Sequence, residues 1–142
     1  MRKVCVPAIA ISCMLAVEPA VAGSLVLEIS NFDGARGVLY AQLFDSEAAY
    51  KANTGSVRQF AQPVNSTTMR LEFNDLPSGQ YAARLFQDLN GDRKVNTNFV
   101  GMPTEPFGFT NNAPANFGPP SFGSAAVIVG DRPVVQTIKF NR

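Results

Sequence analysis

Oxygen-bearing side chains stand at alternate positions in Asp88-x-Asn90-x-Asp92, and Asn96 follows two places after Lys94. Such spacing can wrap a hard cation, as in calcium loops that begin D-x-[DN]-x-[DN]. The pattern then departs from a calcium loop: Arg93 holds the turn position that wants glycine, and Phe99 the position of the bidentate glutamate. A calcium site on Asp88, Asn90 and Asp92 is therefore expected to be weak. The plainer expectation is a run of turns in which Asp and Asn side chains bond their own backbone. Glu105 adds a third carboxylate to Asp88 and Asp92. Two carboxyl groups ~5–9 Å apart could serve a small hydrolase acting on glycosides. Solvated loop acids are the commoner case, so hydrolysis ranks below the other readings. A second constellation is aromatic. Phe99, Phe107, Phe109, Phe117 and Phe122 interleave with Asn98, Asn111, Asn112 and Asn116. Aromatic faces beside amide donors suit a glycan or a peptide. The alternative is that the rings staple this segment to the body of the protein, each contributing roughly 1.5–3 kcal/mol on burial.

Absent residue types narrow the chemistry. The chain has no His, and its two cysteines, Cys5 and Cys13, lie near the N-terminus. Arg2 and Lys3 precede an apolar run from Val4 to Val17, and Ala20-Val21-Ala22 has the form of a cleavage site. These features predict a signal peptide over residues 1–22 and a mature chain from Gly23. The apolar run is short of the ~18–20 residues of a membrane span. Export to the periplasm or beyond a bacterial cell is therefore expected, with no span left after cleavage. Removing Arg2, Lys3 and Glu18 with the signal leaves ten cationic against ten acidic side chains in 120 residues. A neutral chain without basic clusters is a poor partner for nucleic acid. Without His or Cys, the mature chain cannot build a Ser-His-Asp triad, a thiolate nucleophile or a Cys/His zinc, haem or iron–sulfur site. Carboxylate chemistry, a Ser-Lys pair and an oxygen-ligated cation remain, and no cofactor other than calcium is expected.

The elements that must position these residues are strands. Leu25, Leu27 and Ile29 alternate with Val26 and Glu28; Met69, Leu71 and Phe73 alternate with Thr68, Arg70 and Glu72. Val38–Phe44 is apolar on both faces, which predicts a central strand. Gln80–Phe86, Ala125–Val129 and Val134–Phe140 are further strands, and Asp45 or Ser46 can cap a short helix through Tyr50 that ends at Gly55. Turn clusters separate them. The pattern reads as all-β: a single antiparallel β-sandwich of about seven strands over residues 23–142, immunoglobulin-like in outline, with one short helix. Residues 88–122 hold five of the ten prolines and show neither period. Their phenylalanines argue for a long ordered loop rather than disorder.

Three blocks carry a resemblance. LPSGQYAARLFQDLNGD from Leu76, NTNFVGMPTEPFGFTNNA from Asn96 and FGPPSF from Phe117 resemble the exported bacterial family known as domain of unknown function 2141. Thr110 stands where that family usually has Ser, and Arg93 follows Asp92 where a small or acidic residue is common. The resemblance implies a transthyretin-like or prealbumin-like sandwich and supplies no activity. The expected function is thus a non-enzymatic exported module. Its long loop, through Asp88, Asn90, Asp92, Asn96, Asn98, Glu105, Phe107, Phe109, Asn111 and Asn112, would form a surface for a protein or glycan partner or a structural cap.

Overall fold

The computed structural model describes residues 22–142. The predicted signal peptide, with Cys5 and Cys13, lies outside the described residues except for its last position. The described chain forms eight strands in two layers. They are β1 (Gly23–Ser30), β2 (Val38–Phe44), β3 (Arg58–Pro63), β4 (Thr68–Leu76), β5 (Gly79–Asp88), β6 (Phe107–Phe109), β7 (Val127–Val129) and β8 (Pro133–Lys139). Two short helices, α1 (Glu47–Ala52) and α2 (Phe122–Ala125), and one 3-10 turn (Thr110–Asn112) complete it.

One layer has the order β4-β1-β8, the other β3-β2-β5-β6, with β7 paired to the first residues of β5. Alternation dictates the facing. Leu25, Leu27 and Ile29 pair across β4 with Phe73, Leu71 and Met69, so each rung places two apolar side chains on one face. That face meets Leu39, Ala41 and Leu43 of β2 and Ala83 and Leu85 of β5 in the main core. The all-β sandwich expected from the strand pattern is what the chain forms. Its pairs are antiparallel except for β1 with β8, which run parallel. Met69, expected in the core, is only half-buried, because β4 is an edge strand and Met69 lies near its end.

The second layer is apolar on its outer face as well. Phe44, Ala82 and Phe109 pack there under Tyr50 of α1 and under Phe122 and Ala125 of α2. This double burial explains the unbroken apolar character of β2. Ser46, not Asp45, caps α1: its hydroxyl accepts the Ala49 N–H at 3.2 Å. Asn53, in the left-handed conformation, ends the helix two residues before the glycine expected to do so. Two strands escaped the sequence pattern. β3 is an edge strand whose side chains are mostly exposed, and β6 occupies three residues inside the segment read as a plain loop. β6 passes so close to β8 that a Cβ on Gly108 would lie 2.9 Å from the Phe140 ring and 3.0 Å from Ile138.

Candidate functional site

The long segment starts where β5 ends, at Asp88, and its path is set by its own side chains. Asp88 is buried. One of its oxygens accepts the N–H of Asn90 at 3.2 Å and of Gly91 at 2.9 Å, and the other accepts that of Arg93 at 2.8 Å. Asn90 and Asp92 repeat the device, accepting the N–H of Asp92 and Lys94. Gly91 and Arg93 are left-handed, at φ of 77° and 61°. Glu105, also buried, clasps the two arms together: its oxygens accept the Leu89 N–H at 2.9 Å and the Asn96 N–H at 3.1 Å. Asn98 accepts the N–H groups of Val100 and Met102, closing the tip.

Asn111 and Asn112 bolt the far end down, while Asn116 is exposed. Asn111 donates to the carbonyls of Ser124 and Ala126 and exchanges two bonds with Gln136. Asn112 meets the edge of β8, donating to the Thr137 carbonyl and accepting the Lys139 N–H. The Thr110 hydroxyl is fully buried; it donates to the Ala125 carbonyl and accepts the Ala83 N–H. The polar residues singled out from the sequence are thus mostly internal ties. Asp88, Asp92 and Glu105 each bring one oxygen within 4.8 Å of the others. Glu105 thus joins Asp88 and Asp92, and the Asn90 side-chain oxygen holds the Asp92 N–H beside them.

The phenylalanines divide. Phe109 and Phe122 are buried, as stapling requires, and Phe107 is half-buried. Phe99 and Phe117 are fully exposed, at 101% and 103% of their reference area, and Val100 and Met102 beside the tip are exposed too. Stapling therefore accounts for three of the five rings and leaves these two outside it. The turn carrying Phe99 is closed by the Asn98 N–H donating to the Met102 carbonyl and the Thr104 N–H donating to the Asn96 carbonyl, so the ring projects from a braced hairpin.

Between this hairpin, the Phe117 turn and the outer face of the second layer lies a groove of about 740 Å³. Tyr40 of β2 and Phe86 of β5 stack in its lining, with ring centroids 5.4 Å apart. Phe107, Met102 and Phe117 add apolar wall. Gln42 and Gln59 are its amides on the sheet. Its charged residues are Arg84, Arg93 and Lys94; none of its lining residues is a carboxylate. Arg84 lies over the Tyr50 ring, 4.2 Å from the centroid, and donates to the Tyr50 carbonyl. Burial holds the Arg84 guanidinium below its ordinary pKa, and burial likewise raises that of the Tyr50 phenol despite the neighbouring charge. Sequence reasoning missed Tyr40, Arg84 and Phe86. The available signal was the second face of β2 and β5, which carries Tyr40, Gln42, Arg84 and Phe86 before β5 ends at Asp88.

The family model described as an uncharacterised protein conserved in bacteria, domain of unknown function 2141, matches residues 27–137. The chain belongs to this family. The match runs from β1 to β8 and takes in both the acidic turn and the groove. No curated protein and no solved structure matches the chain.

Proposed function

We propose that this member of the family is an exported, non-enzymatic binding module whose long segment and outer sheet face form the ligand site. The observation that carries the reading is the pairing of the groove with Phe117, which stands fully exposed on its lip. Exposed aromatic side chains on a braced loop gain free energy only when something covers them. A concave, mostly apolar site of this size with a few placed polar groups is the usual form of a ligand pocket. The lining supports holding rather than turnover, since it offers amides, aromatic rings and fixed cations but neither a carboxylate nor an imidazole. Among the described residues no helix is long and apolar enough to cross a membrane.

The test is to replace Phe99 and Phe117 by Ser together. Both are exposed, so the melting temperature should stay within the error of the wild type. Mass spectrometry of what each protein retains after incubation with a periplasmic extract should show species held by the wild type and lost by the variant. Identical retention by the two proteins would remove the groove from consideration.

A second reading is favoured by the convergence of Asp88, Asp92 and Glu105. A hard cation could join their oxygens, which already accept backbone N–H groups. It ranks second because those bonds give the three carboxylates an internal task. The hydrolase reading has the least support: Asp88 and Glu105 are buried in the turn and neither lines the groove.

A further inference from the structure

The three cations of the groove have no carboxylate within ion-pair distance among the described residues; the ion pairs that do form involve Arg36, Arg70 and Arg142. Arg84 is the most constrained of the three. Its guanidinium is held over Tyr50 and bonded to that residue's carbonyl, yet its Nε is buried and has no hydrogen-bond partner among the described residues. The buried Nε is beyond a ligand's reach, and what Arg84 offers the groove is the positive charge of a guanidinium held in place, which an anion complements best. Arg93 and Lys94 enter the groove from the loop, their backbone pinned by Asp88 and Asp92. The groove lining thus carries three cations over an apolar floor, and the carboxylates of the same turn, Asp88, Asp92 and Glu105, lie outside that lining.

We propose that the groove holds an amphipathic organic anion, its apolar body on the stacked Tyr40 and Phe86 and its anionic head toward Arg84, Arg93 and Lys94. This rests on the reading of the groove as the ligand site and specifies what enters it. A neutral glycan fits less well, because most of its hydroxyls would lie against apolar wall and lose water without a partner.

The experiment uses the purified protein and the fluorescence of anilinonaphthalene sulfonate, itself an aromatic anion. Decanoate, decanol and decylammonium then compete for the dye. Decanoate should displace it on the order of tenfold more tightly than decanol, the value of one charged hydrogen bond. Decylammonium should not displace it. Arg84→Gln should erase the preference for decanoate, and Arg84→Lys should keep part of it. If Arg84→Gln fails to fold by circular dichroism, the Arg93→Gln/Lys94→Gln pair carries the test, because both side chains are exposed. Equal displacement by decanol and decanoate in the wild type would overturn the anion and leave the binding reading intact. Failure of the dye and all three competitors to bind would overturn both. Sedimentation with phosphatidylglycerol vesicles, without any response to free decanoate, would overturn the groove anion in favour of a lipid surface.

Discussion

Both oxygens of Asp88 are committed to the backbone that follows it, and this makes the residue a structural pin first. Asp88→Ala leaves three N–H groups without their acceptor, at a cost of roughly 1–3 kcal/mol each where no water replaces it. The variant should melt well below the wild type in calcium and in chelator alike. A calcium-dependent rise in the wild-type melting temperature that Asp88→Ala lacks would put metal binding first, since a ligand stabilises only above its dissociation constant. Tyr50 offers a test at the other end of the pH scale. Its phenol is held protonated above the ordinary value of 10.0, chiefly by burial, and its hydroxyl donates to the Pro120 carbonyl at 2.9 Å. An acid whose folded pKa is raised contributes full stability below its unfolded value and loses it as pH climbs toward the folded one. Stability should therefore decline as pH rises past 10.0, and Tyr81, raised by burial too, adds to the decline. Tyr50→Phe should cost about 1 kcal/mol at neutral pH and flatten the alkaline limb in urea titrations. The turn-making role of Asp88 was legible in the sequence because Asx bonding is local. Arg84 was not, because its neighbours in space, Tyr50 and Phe44, come from other elements.

Strands were legible where one face is wet. β4 alternates cleanly because Thr68, Arg70 and Glu72 reach solvent, and β1 shows the period through Glu28 although Val26 is buried; the alternation sets Leu27 and Leu71 on the core face. Leu71→Ala should cost about 2–5 kcal/mol in chemical denaturation, as befits a leucine 1% exposed; a loss under about half a kilocalorie would mean the strand sits one residue out of register. β3 was hidden for the opposite reason, as RQFAQP has too few buried positions to show a period. β6 was hidden because three residues cannot display one, and because its central Gly108 contributes no side chain. Gly108 is there to let β6 approach the end of β8. Gly108→Val should push Phe140 and Ile138 apart and lower the melting temperature more than the Phe99→Ser/Phe117→Ser pair does, although both changes lie in one segment. The groove was unreadable for a related reason: its floor is a sheet face, its rim a loop, and only the register of β2 against β5 brings Tyr40 beside Phe86.

On the scale of the whole molecule, export remains a proposal with a direct check. Mass spectrometry of protein recovered outside the cytoplasm should find Gly23 at its N-terminus, and an intact Met1 on the bulk of it would refute the assignment. Gly23 also opens β1, buried and with no room for a Cβ beside the Gly130 carbonyl. That strand has a consequence in time. β1 is the middle strand of its layer, between β4 and β8, and Asn31 just beyond it donates to the Phe140 carbonyl across 109 positions of chain. Synthesis delivers β1 first and β8 last. The first strand must therefore wait, one edge unclaimed, until β8 arrives. Contacts of such sequence separation are slow to form because the loop must close before they reward it. β8 is thus the latch of its layer, because only its arrival gives the second edge of β1 a partner.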